Sequence, residues 1–187
     1  MNYQQHPGSA RARGASPWTL GQRVRLLLWE YAWLLLCAWT PKPLNPWRLL
    51  VLRSFGAQIE GRPFVHQRAR IQIPWHIRLG DQACVGDRAT LYSLDTITIG
   101  PRAVIAQEAY LCTGTHDFDS PELPLLTAPI VVEAAAFVGA RAFVLPGLTI
   151  GPKAVIGACA VVTRPVPAGA RARGNPARIA GSAPTRA

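Results

Sequence analysis

The stretch VEAAAFVGARAFVLPGLTIGPKAVIGACAVVTRPVP, residues 132–167, decides the fold. Apolar β-branched residues recur in it at an unbroken spacing of six: Val132, Val138, Val144, Ile150, Ile156 and Val162. Gly139, Gly151 and Gly157 directly follow three of them. Four residues after each repeat start comes something small or apolar: Ala136, Ala142, Leu148, Ala154, Ala160 and Val166. A helix repeats near 3.6 and a strand alternates at 2, so neither yields six with glycine at a fixed phase. A hexapeptide β-helix does, because every six residues make one short strand and one turn of a triangular coil. The apolar residue then points into the prism. The glycines are expected to serve turns of unusual backbone conformation.

The same spacing runs upstream with a regular slip. Ile59, Val65, Ile71 and Ile77 are six apart, then Leu79, Val85, Leu91 and Ile97, then Ile99, Ile105 and Leu111. Each block is three hexads plus two residues, which predicts bulged coils with the extra pair at one corner. Between Leu111 and Val132 the interval grows to 21 residues and contains Gly114, Pro121, Pro124 and Pro129, the mark of a loop leaving the coil. The expected organisation is a flexible basic tail over 1–15 and an N-terminal helical segment over 16–56. The hexapeptide β-helix follows over 57–168 with an excursion loop at 113–129, and a C-terminal cap and tail over 169–187. An all-β solenoid of this kind needs both ends covered.

The chain has 187 residues, 49% of them hydrophobic, so it can bury a core. Its net charge of +10 is uneven: +8 over residues 1–70, −3 over 71–163 and +5 over 164–187. A nucleic-acid wrapper is basic throughout, so this pattern argues against nucleic acid as the partner. Cys37, Cys84, Cys112 and Cys159 are dispersed, with no CxxC pair, and read as reduced thiols of a cytoplasmic protein. Leu26 to Trp39 is apolar except for Glu30, too short to span a bilayer. It reads as an uncleaved helix starting near Ser16-Pro17 and stopping before Pro41. A helix apolar nearly all round either caps the β-helix or lies peripherally at the inner face of a membrane.

Chemistry concentrates in two places. The excursion reads Cys112-Thr-Gly-Thr-His116-Asp117-Phe-Asp119-Ser-Pro-Glu122. A histidine flanked by carboxylates fits a general base, with Asp117, Asp119 or Glu122 orienting it; a turn histidine capping local backbone fits equally. His66 and His76 fall at phases where side chains point outward, and are expected to be solvated. No set of histidines has metal-site spacing, so no metal is expected. The tail carries Arg164, Arg171, Arg173, Arg178 and Arg186 with no acid; arginine forks suit phosphates, and a solvated basic end is the alternative.

The hexads, Tyr110-Leu-Cys-Thr-Gly-Thr-His-Asp, Lys42-Pro-Leu-Asn-Pro-Trp, Arg53-Ser-Phe-Gly-Ala and Gly174-Asn-Pro-Ala-Arg together carry a family resemblance. Over roughly residues 16–180 the chain resembles the hexapeptide-repeat acetyltransferases. It is similar to their galactoside and maltose acetyltransferase branch, and in particular to the colanic acid biosynthesis O-acetyltransferases. The resemblance implies a left-handed parallel β-helix that assembles as a homotrimer, with acetyl-CoA in the groove between subunits. His116 matches the family's catalytic histidine. Gly139, Ala140, Ala158, Thr163, Arg164 and Arg178 match coenzyme A contacts. Ser93 stands where the family often has Asn near the acceptor sugar, Arg164 replaces a common lysine, and Phe137 an aromatic position often held by Trp. The implied activity is O-acetylation of a sugar hydroxyl in exopolysaccharide biosynthesis, on a carbohydrate acceptor that is free, nucleotide-linked or lipid-linked. The rival readings are a non-catalytic trimeric scaffold, an N-acetyltransferase of a nucleotide-linked amino sugar, and a zinc-dependent carbonic-anhydrase-like β-helix.

Overall fold

The computed structural model describes residues 3–5 and 18–182. Three stacks of short strands form the faces of a prism. The first face holds Gln58–Ile59, Ile77–Leu79, Ile97–Ile99, Ile130–Val132 and Thr149–Ile150. The second holds Phe64–Val65, Cys84–Val85, Val104–Ile105, Phe137–Val138, Val155–Ile156, Ala170–Arg173 and Arg178–Ser182. The third holds Arg70–Ile71, Thr90–Tyr92, Tyr110–Cys112, Phe143–Val144 and Val161–Val162. Pairing along each face is parallel and in register, with Leu91 opposite Leu111 and Leu111 opposite Val144, except that Arg178–Ser182 pairs antiparallel with Ala170–Arg173. The hexad residues are the core: Val132, Val138, Val144, Ile150 and Ile156 are fully buried, with Ala136, Ala142, Ala154 and Ala160 beside them. This is the parallel β-helix that the spacing of six predicts.

Two local expectations are corrected. The extra pair in the longer coils is not a bulge at one corner. Turns such as 86–89, 93–96 and 100–103 keep one length, while the strands on either side of the corner, Thr90–Tyr92 and Ile97–Ile99, grow to three residues. Ile97 and Ile99 therefore both point inward, with Thr98 between them half-buried. The glycines likewise serve a different purpose. Left-handed backbone in the turns falls on Arg141, Lys153 and Cys159, at φ 56°, 58° and 57°. Gly139, Gly151 and Gly157 allow stacked turns to touch. A Cβ on Gly139 would lie 2.6 Å from the Ile156 carbonyl oxygen and 2.7 Å from the Ala158 nitrogen.

Helix α1 spans Leu20–Leu36 and α2 spans Asn45–Ser54. The expected start at Ser16-Pro17 lies outside the described residues. Helical bonding begins at Leu20, behind a capping box in which Thr19 and Gln22 each satisfy the other's backbone N–H. The end before Pro41 agrees with the sequence. Trp29 fixes α1 to the prism: its indole N–H donates to the Ile71 carbonyl at 2.7 Å, and its ring packs on Trp33 and Phe55. Arg48 fixes α2. Fully buried, it donates from Nε to Val65 O (2.9 Å), from Nη1 to Thr40 Oγ1 (2.8 Å) and Pro41 O (2.9 Å), and from Nη2 to Lys42 O (3.2 Å). Burial pushes the neighbouring Cys37 thiol up to about 11, so it stays neutral.

His66 and His76 are not solvated as their phase predicts. His66 is buried, with Nδ1 taking the Arg68 N–H and lying 3.2 Å from Asp87, and burial lowers its pKa. His76 is half-buried with Nδ1 2.9 Å from the Ser93 carbonyl. The far end is capped by the antiparallel hairpin of Ala170–Arg173 and Arg178–Ser182, whose first strand continues the second face beside Val155–Ile156. At the other end of the chain Gln4 and Gln5 pair with the excursion, so these two residues of the expected free tail are strand.

Candidate active site

The excursion leaves the third face at Thr113, which is buried. The Thr113 hydroxyl donates to the Tyr92 carbonyl at 2.7 Å and accepts the Asp95 N–H at 2.9 Å. The base of the loop is thereby bolted to the preceding coil. The segment predicted as loop is a hairpin: Gly114–His116 pairs antiparallel with Leu125–Thr127, and Gln4–Gln5 adds a third strand beside Leu125–Thr127. A Cβ on Gly114 would lie 2.8 Å from Leu94 Cδ1, so a side chain there would require the Leu94 side chain to shift.

His116 is exposed at the end of its strand, and Nδ1 lies 2.7 Å from the Leu123 carbonyl oxygen. A carbonyl can only accept, so Nδ1 carries the hydrogen and Nε2 is left with a free lone pair. That is the tautomer a general base requires. The sequence left open a carboxylate partner and a bond to local backbone; in the structure the ring bonds a backbone oxygen. Asp117 accepts the Asp119 N–H at 3.1 Å, and Glu122 accepts the Ser120 hydroxyl at 2.8 Å. Among the described residues no carboxylate of Asp117, Asp119 or Glu122 bonds the imidazole. These groups shape the loop that presents Leu123, whose own backbone is left-handed at φ 47°.

Ser93 belongs to the coil just before the excursion. It is fully buried, its hydroxyl donating to Ile73 O at 3.0 Å and accepting the Ile73 N–H at 2.9 Å. The hydroxyl thereby ties two coils together. Cys112 is half-buried, its thiol donating to Gly114 O, and burial raises its pKa; a neutral thiol is a poor nucleophile.

The remaining candidates fall into two groups. Arg164 and Arg178, far apart in sequence, line one cavity of about 180 Å³ with Val162, Pro165 and Ile179. Thr163 sits beside them, half-buried, directly after the strand Val161–Val162. Gly139, Ala140 and Ala158 stack on a different corner, where the Cys159 N–H donates to Ala140 O at 2.9 Å. The chain by itself therefore does not bring all six together.

A second cavity, of about 550 Å³, lies between α1 and the third face, lined by Trp29, Glu30, Trp33, Arg70, Tyr92 and Tyr110. Sequence reasoning did not find it. The available signal was Tyr92, Tyr110 and Phe143, each one residue from an inward hexad position on successive coils of that face. Their rings form a ladder, with Tyr110 stacked on Phe143 at 4.9 Å. Among the described residues no group of three or more His, Cys, Asp or Glu comes together as a metal site, and no helix is long and apolar enough to cross a membrane.

No protein-family model matches the chain. The "Putative colanic acid biosynthesis acetyltransferase WcaF" of Escherichia coli strain K12 is 41% identical over 159 residues, covering 85% of this chain and 87% of the relative. The "Putative acetyltransferase C18B11.09c" of Schizosaccharomyces pombe is 34% identical over 107 residues, covering 56% of this chain and 52% of that one. The hexapeptide-repeat acetyltransferase VCA0836 of Vibrio cholerae, solved with acetyl coenzyme A, superposes with a TM-score of 0.80 at 22% identity, covering 89% of this chain and 91% of that one. Galactoside acetyltransferase in complex with coenzyme A gives 0.80 at 22% identity, covering 89% and 84%. These structural likenesses establish the fold as the left-handed β-helix. With the identity to WcaF running nearly end to end, they show that the chain belongs to the hexapeptide-repeat acetyltransferases.

Proposed function

We propose that the enzyme transfers the acetyl group of acetyl-CoA to a sugar hydroxyl during exopolysaccharide assembly in the cytoplasm. The observation that carries this reading is the His116–Leu123 hydrogen bond, which leaves Nε2 free as the base. In the proposed reaction Nε2 takes the proton of the acceptor hydroxyl while that oxygen attacks the thioester carbon. Backbone N–H groups of a neighbouring coil hold the tetrahedral oxyanion. The intermediate then collapses, the C–S bond breaks, and the imidazolium returns its proton to the departing thiolate. The products are the sugar acetate and coenzyme A. No covalent enzyme intermediate is required, in keeping with the neutral Cys112 thiol.

Arg164 and Arg178, with no acid in their tail, are assigned to the coenzyme phosphates, and Gly139, Ala140, Ala158 and Thr163 to the pantetheine arm. Because these groups sit on separate corners, the coenzyme groove is proposed to form between subunits of a homotrimer. The cavity beside α1 is assigned to the acceptor. Its volume of about 550 Å³ suits a sugar unit, and its aromatic walls suit the apolar face of a pyranose. Aromatic O–H groups are available there too, since burial keeps the Tyr92 and Tyr110 phenols neutral.

The test is mass spectrometry of surface polysaccharide and its precursors from cells carrying the wild type or His116→Ala, alongside kinetics of the purified proteins. A lost general base lowers turnover by about 10²–10⁴-fold. The expected result is a folded variant with turnover reduced by that factor and a polysaccharide lacking acetyl groups. A variant with near wild-type turnover removes His116 from the chemistry. An unchanged polysaccharide removes the assigned acceptor. A wild type without transferase activity makes the chain a scaffold.

A further inference from the structure

Helix α1 has two apolar faces, and only one is used by the fold. Trp29 and Trp33 turn toward the prism. On a wheel of about 100° per residue, Leu20, Val24, Leu27, Tyr31, Leu34 and Leu35 share an arc of roughly 100° on the opposite side. They are 49–75% exposed. No polar residue other than the Tyr31 hydroxyl falls inside the arc. A helix solvated on its outer face normally carries charge there.

The surroundings of the arc identify its partner. Arg23 and Glu30, both exposed, lie along one side of it, and Lys42 and Arg53 are exposed on the segments that follow. Glu30 is the only acidic residue before Glu60. At the C-terminal end of α1 the indole N–H of Trp39 donates to Leu35 O and that of Trp47 to Leu36 O. Both exposed rings are thus tied to that end of the helix. An apolar stripe in a predominantly basic segment, with tryptophans at its end, is the composition that settles at a lipid headgroup boundary. A second copy presenting the same surface would set like charge against like.

We infer that the outer face of α1 docks the protein on an anionic bilayer, with the helix lying in the plane of the surface. The same helix forms one wall of the cavity assigned to the acceptor. Docking therefore brings that cavity to within about one helix diameter of the headgroups. The inference rests on the surface of α1 and stands apart from the chemistry of His116.

The test is flotation of the full-length protein with phosphatidylglycerol–phosphatidylcholine vesicles and with pure phosphatidylcholine vesicles, at low and high salt. The measurement involves no substrate, so its outcome is separate from that of the activity assay. Wild type is expected to float with the anionic vesicles and to be released by salt. Leu27→Ser combined with Leu34→Ser is expected to weaken flotation at least tenfold with unchanged oligomeric mass and melting curve. Arg23→Glu, which leaves the apolar arc intact, is expected to weaken binding to anionic vesicles. Wild type that does not float, or a double variant that floats as well as wild type, overturns the inference. So does a double variant of altered oligomeric mass, because the face is then covered by another subunit.

Discussion

Gly151 and Lys153 share one turn and divide its demands in an unexpected way. Lys153 adopts the left-handed conformation, at φ 58°, while the glycine two residues earlier does not. A Cβ on Gly151 would lie 2.6 Å from the Ala168 nitrogen and 2.9 Å from the Pro167 carbonyl carbon, so backbone would have to move. Gly151→Ala is expected to destabilise by about 1–3 kcal/mol, the usual cost of overpacking. Lys153→Asn places a residue tolerant of left-handed backbone where one is needed, and is expected to stabilise by about 0.5–1 kcal/mol. Thermal or denaturant unfolding of the two variants checks both signs. The hexad phase revealed that glycine mattered at 139, 151 and 157, but not why. Only the stacking of one turn on the next distinguishes close approach from a positive φ. His116 was legible for the same kind of reason that its orienter was not. The histidine is a residue type, whereas the Leu123 oxygen belongs to the backbone and every residue has one.

Among the elements, α2 is secured by a charge that has no carboxylate partner among the described residues. The four acceptors around Arg48 are three backbone carbonyls and the Thr40 hydroxyl. Arg48→Met removes every donor at once and strands those acceptors in the interior. Unsatisfied buried groups cost about 1–3 kcal/mol each, and partial access to water spares some of them. A loss of about 3–5 kcal/mol is expected in denaturant unfolding. Arg48→Lys should recover only part of it, because an ammonium has no planar fork. The strands were easy to read, since each repeats a pattern its neighbours confirm. The helices and the excursion hairpin occur once each. Their boundaries depend on contacts with the prism, such as the Trp29 bond to Ile71, which no local pattern records.

For the whole molecule, the parallel stack places the C-terminal hairpin against the last coils, and this brings Arg164 to Arg178. Under the proposed function, Arg164→Ala or Arg178→Ala should raise KM for acetyl-CoA by about tenfold, the worth of one charge-assisted phosphate contact, and leave KM for the acceptor nearly unchanged. Steady-state kinetics with each substrate varied in turn makes the comparison. An unchanged KM for acetyl-CoA leaves these arginines as a solvated end.

Most strands of the prism join coils adjacent in sequence, and each new coil can fold on the one just made. The strand at Gln4–Gln5 is different, because its partner is Leu126–Thr127. During synthesis at about 5–20 residues per second, the first strand waits roughly 6–25 s for that partner to be made. Several coils can wind in the meantime. The sheet that carries His116 is therefore closed by residues made about 120 positions before their partner, and it reaches its final form well after they are made.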